Sequence, residues 1–559
     1  MTEIKNPLLK LLKFISYKEP NTPKEFYIPE ATVFQQDTNE DLNKERELSS
    51  QKVSKNIEEN INFISNSFNT KVNTDIIIRD FLVGGKYKAI LVFLDGMVDN
   101  NIINNSILKP LLKNRKLKGQ SNTPIIDSII SEIIETNQAT KISNHDSVLY
   151  EVLSGNTVLY IDGLDYYISA ETKGFEKRAL DKPQVEGAIS ASQEAFNETL
   201  KTNVTLIRKI IKNKDLITEY IKLGEKTNIY CAIIYINNLT NPAIINEVKR
   251  RLNSIRTDYV MGSGMLEQFI EDHPMSIFPT VLSTERPDKT VSNILEGRVA
   301  ILVEGTPFAS IVPVTFASFM HTSDDALMRW QYGTFVRLIR AAALLFAILL
   351  PSFYVAITSF HQEMIPTELL ISIAQAKENV PFPTLVEVIL MEISFELIRE
   401  AGIRIPGMIG NTLGIIGALI LGQAAVQASI VSPILIIIVA VTGLSNFTIP
   451  SYTFAFSIRI LRFIFIFAGA TLGFYGITIT WIVLSCIIFC RKSFGVNYFA
   501  PITPVTKRER DFLIKFPIWK REKRPDYLNP LDETRSEKIS RKWTEEDPVY
   551  SYDRENKDD

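Results

Sequence analysis

Five apolar stretches in the second half of the chain limit what it can fold into. They cover residues 341–360, 409–426, 430–446, 454–474 and 477–490. The first is long enough to cross a bilayer, which takes about 20 apolar residues in a helix. The chain before about residue 330 has instead the composition of a soluble protein. We therefore expect an α+β soluble half followed by an α-helical, multi-span membrane domain.

One predicted helix among these stretches, at residues 384–405, is strongly charged and is called the acidic helix below. It carries Glu387, Glu392, Glu396, Arg399, Glu400 and Arg404. On a helix, Glu392, Glu396 and Glu400 fall within about 80° of one another, so they form one stripe. Because carboxylates facing lipid are costly, such a stripe inside a membrane faces a partner helix or water. The acidic helix therefore either lines a cation path or lies flat at the membrane surface.

The distribution of positive charge helps to decide between these two interpretations, because Lys and Arg tend to stay on the cytoplasmic side. Arg329, Arg337 and Arg340 precede the first apolar stretch, and a run of Lys and Arg follows the last one. Both the N-terminal half and the tail are therefore expected in the cytoplasm, which requires an even number of crossings. Five apolar stretches alone give an odd number, so the charges favour an acidic helix that crosses.

Candidate functional residues follow from this arrangement. Breaks in membrane helices are tolerated only beside protein or water, which makes prolines informative. The hypothesis assigns an ion path to Glu387, Glu392, Glu396 and Glu400. It assigns structural or gating roles to Arg399, Arg404, Pro406 and Pro433.

The soluble half contains an internal repeat. Residues 89–104 align without gaps on 231–246, and residues 153–166 align on 295–308, both with an offset of 142. Two separate stretches with one offset indicate tandem duplication of an α/β unit. The predicted divisions are a flexible arm at residues 1–52, the two copies at 53–180 and 181–330, a transmembrane helical domain at 331–492, and a mixed-charge tail at 493–559.

Local patterns predict several elements within the repeat. We expect short strands at residues 148–151, 157–161 and 165–170, the last two joined by a hairpin at Asp162-Gly163. A helix at residues 185–212 is expected to open the second copy.

The sequence contains no convincing catalytic or metal-binding set. Asp95 and Asp99 flank a strand end, where turn chemistry explains them, and Gly262-Ser263-Gly264 lacks the setting of a nucleophile elbow. The four histidines are scattered, and the three cysteines form no zinc spacing. A net charge of −2 gives no indication of nucleic-acid binding. We therefore predict neither an enzyme nor a cofactor.

Three long stretches carry a family likeness: VEGAISASQEAFNETLKTNVTLIR at 185–208, SIFPTVLSTERPDKTVSNILEGRVAILVEGTPF at 276–308, and residues 361–406, which include the acidic helix. Through them the chain resembles the A subunits of the GerA-type spore germination receptors of endospore-forming bacteria. The resemblance implies nutrient sensing in the spore inner membrane. It also implies a complex with a permease-like B subunit, thought to hold most of the nutrient site, and a lipoprotein C subunit. The A subunit would oligomerise around an ion path.

The favoured hypothesis is thus a receptor subunit whose oligomer forms a nutrient-gated cation channel. A secondary transporter is an alternative, but transporters usually carry their repeat in the membrane half, and here the repeat is in the soluble half. A non-conducting scaffold for the partner subunits also remains open. A membrane-bound enzyme would need a catalytic constellation that the sequence lacks.

Overall fold

The computed structural model describes residue 28 and residues 53–113, 134–174, 183–404, 417, 420–506 and 511–536. Nearly all of the predicted arm at 1–52, Pro406 and most of the predicted span at 409–426 lie outside these residues.

The first α/β unit is a five-stranded antiparallel sheet with helices on both faces. Its strands are β1 (Ile76–Val83), β2 (Tyr87–Leu94), β3 (Ala139–Ile142), β4 (Thr157–Ile161) and β5 (Tyr167–Ala170), in the spatial order β1-β2-β4-β5-β3. Its helices are α1 (Ile57–Ser67), α2 (residues 100–113, with a π-helical stretch at Ile103–Leu108) and α3 (His145–Leu153). Alternate residues of a strand point to opposite faces, so Leu91 packs towards α2 and Val92 towards α1 and α3. Both faces are therefore apolar, which explains the continuous hydrophobic run of β2.

The second α/β unit repeats this design. Its strands are β6 (Leu216–Leu223), β7 (Ile229–Ile236), β8 (Leu282–Thr284), β9 (Val299–Val303) and β10 (Ala309–Val312), in the order β6-β7-β9-β10-β8. Its helices are α4 (Leu200–Ile210), α5 (Pro242–Ser254), α6 (Ser263–Ile270) and α7 (Pro287–Ile294). Strands β7, β9 and β10 begin 142 residues after β2, β4 and β5. The shared strand order agrees with the duplication inferred from sequence. The exact domain boundaries remain predictions.

Two local predictions in this half were wrong. Residues 148–151 lie inside α3, which Asn144 caps by accepting a hydrogen bond from the Asp146 amide at 3.1 Å. The predicted helix at 185–212 forms only at Leu200–Ile210. Residues 185–191 follow a non-helical path because two distant carboxylates accept hydrogen bonds from their backbone amides: Glu285 accepts from Val185 and Glu186, and Asp324 accepts from Ile189, Ser190 and Ala191. The hairpin at Asp162-Gly163 is confirmed, with β4 and β5 paired antiparallel and Gly163 at φ 89°.

A buried polar contact joins the two α/β units. Arg208 of α4 is 1% exposed and binds Asp75 through two hydrogen bonds of 2.8 and 2.9 Å. The Thr74 amide donates to the Thr218 carbonyl of β6 at 3.1 Å, beside this pair. A bidentate guanidinium–carboxylate contact fixes orientation as well as distance, so the pair sets how the two units meet.

The second half is helical. It comprises α8 (Phe316–Met320), α9 (Ser323–Leu327), α10 (Trp330–Phe360), α11 (Thr367–Lys377), α12 (Thr384–Arg404), α13 (Pro433–Phe447) and α14 (Tyr452–Phe489). Among the described residues, α10 and α14 are the two helices long and apolar enough to cross a membrane by length and composition. Helix α13 covers most of the predicted span 430–446 but has only 15 residues, and Pro433 stands in its first turn, where proline suits a helix start.

Helix α14 is a hairpin of two arms, which matches the two stretches predicted at 454–474 and 477–490. The break is at Gly473, whose backbone angles of φ 60° and ψ −138° are not helical. Beyond it the chain folds back, so the rings of Phe465 and Trp481 lie 6.1 Å apart, whereas a straight helix would separate them by about 24 Å.

The described part of the tail packs against the second α/β unit. The Ser493 hydroxyl donates to the Thr280 carbonyl at 2.7 Å, and the Leu531 amide donates to the Leu239 carbonyl at 2.9 Å. The tail and the soluble half therefore lie on the same side of the helical domain.

Candidate ion path on the acidic helix

The acidic helix is α12, and it is part of the helical bundle. Its Val388 and Met391 are fully buried in an apolar cluster with Tyr354 and Val355 of α10 and Ile466 of α14. On the opposite face, Leu397 is 65% exposed. The helix therefore has one face packed on α10, α13 and α14 and one face left open in a single chain.

Glu387, at the first turn of α12, is buried in an anchoring contact. It accepts a hydrogen bond from the Ser432 amide at 3.1 Å, just before α13 begins. The Lys377 ammonium at the end of α11 lies 3.5 Å from its other oxygen. Glu387 thus ties three segments together, which is a structural role rather than an open position on a path.

Glu392 is as buried as Glu387 and forms an ion pair with α14. One of its carboxylate oxygens lies 2.5 Å from the Arg462 guanidinium, and the two side chains are 1% and 3% exposed. The Arg462 Nε also donates to the Ala347 carbonyl of α10 at 2.9 Å. A single arginine therefore links α10, α12 and α14 at one level.

Glu396, one turn further on, pairs with two arginines. Arg399 lies 3.0 Å away on the same helix, and Arg459 of α14 lies 3.5 Å away. The side chain of Glu396 is still 28% exposed. Arg399 also stacks on the Phe447 ring of α13 at 4.9 Å, and Glu400 lies on the exposed side of the helix.

The stripe is therefore a ladder of mixed charge. Glu392 and Glu396 face Arg399, Arg459 and Arg462, so the carboxylates are compensated within the chain. Sequence reasoning missed this pairing, although Arg459 and Arg462 were visible in a neighbouring apolar stretch and intramembrane charges usually pair. Arg404 is the last residue of α12.

The described residues offer no grouping of three His, Cys, Asp or Glu side chains that could hold a metal ion.

Two α/β units with one strand order, joined to long apolar helices and a charged helix between them, define a membrane-associated protein with a duplicated soluble half. The family described as Bacillus/Clostridium GerA spore germination protein matches residues 62–527. The chain is 38% identical over 497 residues to spore germination protein KA of Bacillus subtilis, covering 88% of this chain and 90% of that protein. It is 36% identical over 462 residues to spore germination protein GerLA of Bacillus cereus, covering 82% and 93%. The chain belongs to the GerA family, which confirms the resemblance seen in the sequence.

A third relative and one solved structure are also similar to this chain. Spore germination protein A1 of Bacillus subtilis is 36% identical over 468 residues, covering 84% of this chain and 95% of that protein. Among solved structures, the N-terminal domain of the A subunit of the Bacillus megaterium spore germinant receptor GerK3 matches at 31% identity and a TM-score of 0.39, covering 48% of this chain and 98% of that one. These relatives are named spore germination proteins, and the solved domain is named as part of the A subunit of a spore germinant receptor.

Proposed function

We propose that this chain is the A subunit of a nutrient receptor of the spore inner membrane, and that several copies form a nutrient-gated cation channel. In this proposal it assembles with a permease-like B subunit and a lipoprotein C subunit. Membership of the GerA family supports the role in germination.

The buried pair Glu392–Arg462 is the observation that carries the membrane part of the proposal. A helix lying flat at the surface would keep its charged face in the headgroup region. Here a carboxylate of α12 is instead enclosed by α14 and α10, the two helices long and apolar enough to cross. This supports an acidic helix that crosses with them, giving six crossings.

The packing of the tail supports the same topology. The tail and the soluble half lie on one side of the bundle, as an even number of crossings requires. Basic residues before α10 and in the tail favour the cytoplasm for that side.

The open face of α12 supports an oligomer. Glu400 and part of Glu396 remain accessible there, and one chain supplies only one such helix. Rings of carboxylates, which select cations, arise when several copies place this face around an axis. Nutrient binding would act on this assembly by differential affinity for its closed and open states.

The test is ion flow across a planar bilayer that contains the purified protein. We expect cation current in the wild type and a lower cation-to-anion permeability ratio in Glu396→Gln and Glu400→Gln. In Glu396→Gln the loss of the carboxylate also leaves Arg399 and Arg459 less compensated. The matched control is Glu368→Gln, because Glu368 is exposed at the start of α11 and is not part of α12. Unchanged selectivity in both path variants would contradict the assignment.

One observation favours a second function, a non-conducting scaffold. Glu392 and Glu396 are already paired with arginines within the chain, so the ladder can serve to hold helices together without conducting. A silent membrane that contains folded, oligomeric protein together with its partner subunits would support the scaffold and contradict the channel.

A further inference from the structure

A polar cavity lies where the second α/β unit, the base of α10 and the tail meet. Its volume is about 270 Å³, and its wall combines residues of α7, the segment around α8 and α9, the second turn of α10, and the tail. Arg337 is the contribution of α10, and Tyr527 is one of those from the tail. The cavity is far in sequence from the acidic helix and takes no part in the ladder described above.

The cavity wall carries more guanidinium groups than carboxylates can compensate. The arginines are Arg298, Arg337, Arg521 and Arg535, and the carboxylates that pair with them from the wall are Glu296 and Asp511. Asp511 binds Arg337 at 2.7 Å and Arg521 at 2.8 Å. Glu296 lies 3.6 Å from Arg298 and 4.0 Å from Arg535. Each carboxylate is thus shared by two arginines, which leaves two positive charges in excess.

The other charged residues of the wall do not cancel this excess. Lys289 is paired with Glu186 at 2.9 Å, and Asp288 is paired with Arg286 at 2.8 Å. Both partners lie outside the wall. Asp325, which is outside the wall, lies 3.7 Å from Arg337 but forms a closer ion pair of 2.9 Å with Arg340, and that pair already balances its charge.

The histidine of the wall adds no charge. Burial and the neighbouring Arg337 lower the pKa of His321 to about 4, so its ring is neutral near pH 7. The ring Nε2 lies 3.0 Å from the Phe512 carbonyl.

We propose that this cavity binds a small dianion, either a phosphate monoester or a dicarboxylic acid. Two uncompensated guanidinium charges in a partly enclosed site are stabilised by an anion that carries two charges, and guanidinium groups match phosphate and carboxylate in geometry. The volume suits a small metabolite. A zwitterionic amino acid or a cation would leave the excess in place. This inference does not rest on the proposed channel.

The site lies where a bound dianion contacts both the tail and the base of α10, which leads into the membrane half. Arg337 belongs to α10, while Arg521 and Arg535 belong to the tail, and Asp511 bridges the two groups. A dianion between them holds the tail against the base of α10.

The test is isothermal titration calorimetry on the purified full chain in detergent, at low salt and about pH 8, with inorganic phosphate and with succinate as probes. The wild type should bind at least one of them. Arg521→Gln and Arg535→Gln should each weaken binding roughly tenfold, the size expected for one charge-assisted hydrogen bond. Lys523→Gln is the matched control, because Lys523 is a positively charged residue of the tail that does not line the cavity. Its side chain is 51% exposed and its contact with Glu533 is long, at 3.9 Å. It should bind like the wild type.

The two probes distinguish between the two classes of ligand. Preference for phosphate assigns the ligand to the phosphate esters, and preference for succinate assigns it to the dicarboxylic acids. Two variants at different positions guard against a folding defect in one of them, and circular dichroism verifies each. No heat from either probe with the wild type would overturn the proposal. Equal weakening in Lys523→Gln would also overturn it, because the effect would then be general to the tail charge.

Discussion

Replacing Arg462 by Met leaves Glu392 as an uncompensated carboxylate inside the helix bundle. The two side chains are almost completely buried, their closest atoms lie 2.5 Å apart, and Arg462 also binds the Ala347 carbonyl. Breaking a buried pair by removing one partner costs about 3–5 kcal/mol, since the remaining charge stays desolvated. We therefore expect Arg462→Met to lower the free energy of unfolding by about that amount.

A double-mutant cycle isolates the pair itself. The second single variant is Glu392→Gln, and the double variant carries both changes. Removing both charges also removes the unpaired carboxylate, so the double variant should be more stable than Arg462→Met. The coupling energy should be about 2 kcal/mol or more, within the range found for residues in contact. The assay is SDS-driven unfolding of the purified protein in mixed micelles, followed by circular dichroism.

A neighbouring pair provides the control for this cycle. Arg459 lies 3.5 Å from Glu396, whose side chain is 28% exposed, so Arg459→Met should cost much less, about 1 kcal/mol. Two outcomes would refute the reasoning that burial makes the Glu392–Arg462 pair the stronger one. The first is an equal loss of unfolding free energy in Arg459→Met and Arg462→Met. The second is additive effects of Arg462→Met and Glu392→Gln in the double variant.

Three further predictions concern other parts of the chain. Arg208→Met should cost about 3–5 kcal/mol and loosen the contact between the two α/β units, measured as faster hydrogen exchange in β1 and β6, because it strands buried Asp75. Burial raises the pKa of Glu267 from 4.5 to about 7, so the stability that its protonated form contributes is fully present below pH 4.5 and is lost as pH rises through 7. This pH-dependent contribution is about 3 kcal/mol, and Glu267→Gln should remove it, so the variant's thermal stability should fall less between pH 4.5 and 7. Gly473→Ala should lower the unfolding midpoint in SDS, because an added Cβ would lie 2.8 Å from the His361 ring, whereas Gly443→Ala, in open space, should not.

The duplication could be predicted because the same pattern of apolar residues and turn glycines occurs twice in the sequence. Strands β2 and β7 are buried on both faces, so their apolar runs are continuous and align without gaps. The turn after β4 and the turn after β9 each require a glycine with positive φ, at Gly163 and Gly305, 142 residues apart. Requirements that are local and repeated leave a clear pattern in the sequence.

The errors came from short or nonlocal determinants. A run such as residues 148–151 is too short for periodicity to separate a strand from one face of a buried helix, and the deciding feature was the cap at Asn144. The non-helical path of residues 185–191 depends on Glu285 and Asp324, which lie about one hundred or more residues away. No local pattern contains that information.

The sequence showed the charged residues of the ladder but not which of them pair. The stripe of glutamates and the arginines of the later stretch were both apparent, but helical spacing places residues only on their own helix. Which arginine meets which glutamate depends on how α12 and α14 pack. The candidate ion-path residues therefore remain a prediction, and the structure adds that Glu400 is on the open face while Glu387 is buried.

The two copies of the α/β unit have diverged in the surface that meets the membrane half. In the second copy, Phe278, Leu282, Ile311 and Val314 pack in one apolar cluster with residues of α10 and α14. The residues 142 positions earlier are Thr136, Thr140, Ser169 and Thr172, all of which carry a hydroxyl group. An apolar surface of this kind stabilises docking by removing itself from water, and hydroxyl groups at the same positions would oppose it. The second copy therefore supplies the apolar surface that docks on α10 and α14.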